Sequence, residues 1–334
     1  MPYILKRTAA LTIQDVTPGS SYHNIDVTDF KYSQTFTDST YDQKTLHEQH
    51  KLSEASNITK ANPANFEFTV NLGTEDNTGV QTLIDRLLDP AASQFQIVVA
   101  AGENEDDYQH IVALQTCVIT NGTFIIDKLE NLKLTLSGQG TEYRPLVSNI
   151  YAQNAITFGN IGRKRAQNQL PSYVKVRLPD SDEDIPCVIS LSVEIQNDIE
   201  WNAYTTLHGS IDADTEGGIL DLQRPSKYTF KKRTISGSIE AYVKTDEDAG
   251  ASTADTIIGE AHMQTYATNK TLILEAGASS SLNIKMNLVN CTYTNRVNPG
   301  SVFTQNYDWR MADNPTDLTD SSSDSQSYII LQTT

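Results

Sequence analysis

The stretch LQTCVITN, Leu114–Asn121, returns near the other end of the chain as LVNCTYTN, Leu288–Asn295. Leu, Cys, Thr and Asn keep their places in both, 174 residues apart in a chain of 334. A phrase repeated at about half the chain length points to one structural unit written twice.

Further echoes lie upstream in the same order. FKYSQTF (Phe30–Phe36) lies over LSVEIQN (Leu191–Asn197) at an offset of 161, and in that frame Thr45, Leu46 and His47 fall on Thr206, Leu207 and His208. FEFTVNL (Phe66–Leu72) is expected over ISGSIEA (Ile235–Ala241) at an offset of 169. An offset that grows along the chain is what loop insertions in the second copy produce.

Within each echo the apolar residues alternate, the period of a strand with one packed face and one wetted face. Phe30 and Tyr32 alternate with Lys31, Ser33 and Thr35; Leu191, Val193 and Ile195 alternate with Ser192, Glu194 and Gln196. Phe66, Phe68, Val70 and Leu72 alternate with Glu67, Thr69 and Asn71; Ile235, Ile239 and Ala241 alternate with Ser236, Ser238 and Glu240. A one-residue slip would invert every face, so both copies are expected to keep one register.

One helix per copy completes the unit. Val80, Leu83, Ile84, Leu87 and Leu88 recur at helical spacing between Thr78 and Pro90. The second copy offers a poorer stretch at 255–265, interrupted by Gly259. Strands follow each helix: FQIVVAA and IVALQTCVIT, then TLILEAG and NIKMNLVNCTYT. Long polar loops are expected at Asp38–Asn65 and, roughly, Asn202–Lys232, where Thr45, Leu46, His47, His50, Thr206, Leu207 and His208 would serve as contacts between stacked rings. The expected domains are 1–145 and 171–334, with 146–170 a linker or inter-subunit loop. A Ser/Asp-rich tail precedes an apolar Tyr328–Leu331 segment that could pair within its own chain or with a neighbour.

Composition narrows the function. With 25 Lys and Arg against 42 Asp and Glu, the net charge of −17 argues against a groove built to grip phosphates. Three cysteines, Cys117, Cys187 and Cys291, fit reduced thiols better than a disulfide framework. The N-terminal MPYILKRTAA has no sustained apolar run, so no secretory leader is expected, and no run reaches bilayer-crossing length.

Catalytic constellations are missing. His47 and His50 have no second ligand pair at zinc spacing. Gly159–Arg165 lacks the ending of a phosphate-binding loop, and the acidic turns at 102–108 and 179–184 lack a calcium loop's ligand pattern. The sequence therefore reads as a non-enzyme without catalytic residues, metal or cofactor.

The order of elements resembles the tail tube proteins of long-tailed bacteriophages, in the form whose tube domain is duplicated and whose trimers make pseudo-hexameric rings. The resemblance rests on FKYSQTFTDSTYDQKTLHEQHKLSEASNITKANPANFEFTVNLG followed by a single helix, and on KYTFKKRTISGSIEAYV in the second copy. It spans about residues 20–310, without an extra immunoglobulin-like domain after the second copy.

The resemblance implies a mainly β fold of two tandem sandwich or half-barrel domains that join neighbours into a closed β-barrel. It implies a virion tail subunit assembled in the host cytoplasm, with no membrane role. Its partners would be further copies of itself in stacked rings and the tail tip, terminator and tape-measure proteins. Double-stranded DNA would pass through without sequence-specific binding. Ser33, Thr35, Glu67, Thr69, Asn71, Glu194, Gln196, Ser236, Ser238 and Glu240 are the lumen-lining candidates, and Lys31 among them would need a neighbouring carboxylate. Two alternatives stay open: a single-ring tail completion or head–tail joining protein, and a two-domain β binding module of adhesin or lectin type.

Overall fold

The structure, a computed structural model, describes residues 9–15, 22–25, 27–43, 53–72, 77–89, 94–104, 107–127, 130, 132–146, 173–177, 187–202, 225, 227–242, 270–277, 283–312 and 328–332. The first copy contains β1 (Ala9–Asp15), β2 (Tyr22–Ile25), β3 (Val27–Ser33), β4 (Phe36–Gln43), β5 (Ser53–Ala61), β6 (Ala64–Asn71), α1 (Asn77–Leu88), β7 (Phe95–Asn104), β8 (Asp107–Asp127), β9 (Lys133–Gly140) and β10 (Glu142–Leu146). The second contains β11 (Tyr173–Arg177), β12 (Val188–Trp201), β13 (Tyr228–Tyr242), β14 (Lys270–Gly277), β15 (Asn283–Asn298), β16 (Thr304–Met311) and β17 (Tyr328–Gln332). The fold is mainly β, as the alternation requires.

Two groups of strands recur with the same pairing; among the described residues only the first copy has β2 on β1, and its β3–β4 and β5–β6 match single long strands in the second. In the first copy β3, β6, β9 and the C-terminal half of β8 lie side by side, while β1, β7, the N-terminal half of β8 and β10 form a second group. In the second copy β12, β13, β16 and the C-terminal half of β15 repeat the first group; β11, β14, the N-terminal half of β15 and β17 repeat the second. Every one of these pairs is antiparallel.

The repeated phrase marks the corner where β8 and β15 leave one group for the other. Thr116 and Asn290 adopt φ of 52° and 60°, in the left-handed region that side chains rarely enter. Each stands just before its cysteine, and the register against β7 and β14 shifts there by a bulge. Strands that switch sheets do so through such bulges. The Cys117 thiol donates to the Leu114 carbonyl at 3.3 Å and the Cys291 thiol to the Leu288 carbonyl at 3.5 Å. Leu and Cys recur because they build the same bend. Both cysteines are buried, and desolvation pushes the Cys117 thiol up and the Cys291 thiol up to about 12.

Bulge positions fix the true correspondence of the copies. A bulge follows Val27 opposite Val70 and another follows Val188 opposite Ala241, so β3 maps onto β12 at the expected 161. The same bulges place Val70 on Ala241 and Phe66 on Gly237, at 171 rather than 169. The sequence alignment of β6 was thus off by two residues, which preserves the face of every side chain and hides the error from a pattern of alternation. The structure supplies the reason: Phe66 sits opposite Gly138 across β6 and β9, whereas in the second copy Gly237 sits opposite Trp309. The large and small partners have changed strands.

The core follows the alternation. Phe66, Phe68, Val70, Leu191, Val193, Ile195, Ile235 and Ile239 are all buried. The helix appears as expected, burying Leu83, Ile84, Leu87 and Leu88. Two expectations change. Part of the stretch read as a loop, Asp38–Asn65, is the two-stranded ribbon of β4 on β5, which extends the β3–β6 pair. The loop after β12 ends sooner than Lys232, because β13 starts at Tyr228. The C-terminal Tyr328–Gln332 segment pairs in cis with Asn283–Asn287 of β15. The second helix expected at 255–265 lies outside the described residues.

Candidate functional site

The two copies meet edge to edge. Ser190–Gln196 of β12 pairs with Asn121–Asp127 of β8, which fuses β3, β6, β9, β8, β12, β13, β16 and β15 into one run of eight strands. Among the described residues the run does not close on itself: β3 pairs only with β6, and the Thr292–Asn298 end of β15 pairs only with β16.

The joint is clamped from behind by α1. Asn197 of β12 donates through Nδ2 to the Leu87 carbonyl at 2.8 Å and the Ile119 carbonyl at 3.2 Å. Arg233 of β13 donates through Nε to Asn197 Oδ1 at 2.9 Å and through Nη2 to the carbonyls of both Leu87 and Leu88. Arg233 is 2% exposed. The last carbonyls of a helix lack intrahelical partners and carry the negative end of its dipole, so a buried guanidinium there satisfies both demands. Gly122 in β8 allows the approach, since a Cβ there would collide with the Leu87 side chain.

The wetted face of the eight-strand run is continuous. One row of directly opposed residues crosses it: Thr69, Thr135, Thr123, Glu194, Ser236, Arg310 and Thr292. The lining candidates Glu67, Thr69, Asn71, Glu194, Gln196, Ser236, Ser238 and Glu240 share this face, with Ser33 on the outermost strand. Thr35 lies at the junction of β3 and β4, where its hydroxyl accepts from Asn62 at 2.9 Å. The hydroxyls pair across strands, Thr69 with Thr135 at 3.1 Å and Ser192 with Ser238 at 2.9 Å.

The face carries charges of both signs. Lys31 finds the carboxylate it needs, Glu67 at 3.1 Å, and that hydrogen bond lifts the ammonium above the ordinary lysine range. Arg296 meets Asp308 at 3.8 Å. Lys133, which bonds Glu130 at 2.8 Å, and Arg310, opposite Ser236, stand on the same face as Glu194 and Glu240; the sequence pattern does not single out β9 and β16 as strands and so does not place them there. The surface is therefore rich in hydroxyls and amides, with acids interspersed among bases. Thr45, Leu46, His47, His50, Thr206, Leu207 and His208 lie outside the described residues. Among the described residues no cluster of His, Cys, Asp and Glu is arranged to hold a metal ion, and no helix is long and apolar enough to cross a membrane.

No known protein family matches the sequence, and no curated protein does. Among solved structures, a chain of the anti-feeding prophage baseplate, determined by electron cryomicroscopy with sixfold symmetry imposed, aligns with a TM-score of 0.34 and 13% identity. The alignment covers 44% of this chain and 96% of that one. A likeness at that level carries no argument about role.

Proposed function

We infer that the chain is a structural subunit of a bacteriophage tail tube, whose trimers form rings of six similar sheet units and stack into a conduit for DNA. The observation that carries this reading is the β8–β12 joint. A unit that has already joined one copy of itself by an edge, and still offers both outer edges, is built to continue the series. Closing a ring removes the exposed edges that otherwise invite uncontrolled pairing.

The polar face supports the conduit role. A wall of hydroxyls and amides with interspersed, partly paired charges gives a passing duplex no row of cations to bind, so counterions are not released and the DNA is not held. The reading needs no enzymatic step, cofactor or metal. Negative-stain microscopy of the purified chain tests it: hollow rods are expected. Single rings that never stack would favour a tail completion or joining protein, and dispersed monomers at high concentration would favour a binding module.

A further inference from the structure

The two copies present their first strands to different surroundings. Val193 and Asn197 of β12 are 0% and 4% exposed, because β8 and α1 of the first copy cover them. The corresponding positions at the 161 offset are Tyr32 on β3 and Phe36 at the start of β4, 37% and 50% exposed. Positions equivalent in the repeat are thus sealed where a copy precedes them and open where none does. Tyr32 stacks on Tyr143 with ring centroids 5.3 Å apart, so this open edge is organised as an aromatic surface. At the other end of the run, Thr292–Asn298 of β15 occupies the place that β8 holds at the joint.

We propose that the β3 edge, with Tyr32 and Phe36, docks the β15 edge of a second copy of this chain in the register of β12 on β8, and that this joint closes on aromatic side chains instead of the arginine clamp. The register follows from the internal joint. Glu194 opposes Thr123 there, and Val193 opposes Phe124. Their counterparts are Ser33 opposite Arg296 and Tyr32 opposite Val297 of the neighbour. The chemistry follows from the same mapping. Asn197, which bonds the Ile119 carbonyl inside the chain, corresponds to Phe36, and Ile119 corresponds to Tyr293, whose hydroxyl is buried with no hydrogen-bond partner among the described residues. Arg233, which lies opposite Asn197, corresponds to Ala61, which lies opposite Phe36. Polar groups that hold the internal joint are thus replaced, on the β3–β4 edge, by apolar ones. Apolar closure is reversible and strengthened by excluded salts, whereas the clamped joint stays intact as part of one fold.

The proposal rests on the assembly reading and is tested separately from it. In a Cys187→Ser background, the full-length chain carrying Ser33→Cys and Arg296→Cys is oxidised mildly under conditions where rods or rings are visible. Covalent dimers and trimers are expected, at least tenfold more than from Ser33→Cys with Asn298→Cys, which reports a slip of two residues. Equal yields from the two pairs, or no crosslink in visible rods or rings, overturn the register while leaving assembly standing. Absence of any assembly in the unsubstituted chain overturns the assembly reading and this proposal with it. Independently, Phe36→Ser is expected to keep the circular dichroism and melting temperature of the chain and to raise the concentration needed for assembly about tenfold, with ammonium sulfate lowering it again. Assembly of Phe36→Ser at the unsubstituted concentration overturns the aromatic closure.

Discussion

Arg233, on a strand of the second copy, donates to the carbonyl of Leu88, the last residue of the first copy's helix. This bond ties together segments 145 residues apart in sequence, and it makes the stability of one half depend on the other. Arg233→Met keeps bulk but leaves the Leu88 carbonyl and Asn197 Oδ1 without this donor, while the Leu87 carbonyl keeps its bond from Asn197 Nδ2. Buried acceptors so orphaned cost about 1–3 kcal/mol each when they cannot relax. A loss of about 3 kcal/mol in urea unfolding is expected. Arg233→Lys recovers less than half of it, because an ammonium cannot reach Asn197 and the helix end with one planar fork.

The exchange of Phe66–Gly138 for Trp309–Gly237 gives a second expectation. A Cβ on Gly138 would meet the Val118 carbonyl and the Phe66 ring; one on Gly237 would meet the Ser192 carbonyl and the Trp309 ring. Backbone cannot yield as a flexible side chain can, and overpacking of this kind costs about 1–3 kcal/mol or more. Gly138→Ala and Gly237→Ala should each lower the urea midpoint clearly. Removing the ring instead, with Phe66→Leu in the Gly138→Ala chain, restores only part, since the carbonyl stays in place.

The left-handed corner residues differ in strain. Thr116 is β-branched and Asn290 is not, and Asn enters that region at lower cost. Thr116→Asn, which copies the second repeat into the first, is expected to stabilise the chain by about 0.5–1 kcal/mol. Asn290→Thr should destabilise it by a similar amount. Thermal unfolding of both variants checks the pair.

The cysteines predict both reactivity and pH dependence. Cys187 is exposed, so a thiol reagent should modify one cysteine in the folded chain and three in denaturant. Burial raises the folded-state pKa of Cys117 and Cys291 above the ordinary value of 9.0. A raised folded pKa means that the unfolded chain loses these protons first, so their contribution is whole below pH 9 and declines as pH rises from there towards 12. Each thiol contributes a slope of about 1.4 kcal/mol per pH unit in that window. Cys291→Ala should flatten the alkaline decline by one such proton, whatever it does to stability at pH 7.

On the polar face, Glu67 is half-exposed and paired with Lys31. Glu67→Lys and Glu240→Lys are expected to leave folding intact, because solvent-exposed charges contribute little to stability. If the proposed tube role holds, assembled particles carrying them should eject DNA more slowly, because cations are added to the wall, an effect that weakens with salt. Unchanged ejection kinetics in assembled particles would count against the lining assignment.

On the proposed tube role, deleting most of Asp38–Asn65 tests stacking, because it removes the β4–β5 ribbon. The shortened chain should remain folded, since the ribbon forms its own two-stranded sheet, and should lose the capacity to stack. Normal long rods from the shortened chain would assign stacking to other residues.

Period-two alternation at Phe66–Leu72 and Leu191–Ile195, helical spacing from Val80 to Leu88, and the repeated LQTC and LVNC corners were sufficient to establish a mainly β, duplicated chain and the face of each central strand. These are local properties, set by side-chain direction along one strand and by the bend one residue takes. The two-residue correction of β6, the ribbon inside a polar stretch, the β8–β12 joint and the Arg233 clamp were decided only in three dimensions. Each depends on what lies opposite: a glycine beneath a ring, a strand edge beside its own copy, a guanidinium against a distant helix end. Alternation has the same period whichever partner is opposite, so a sequence that specifies faces leaves the choice of neighbour to packing and to hydrogen bonds between distant segments.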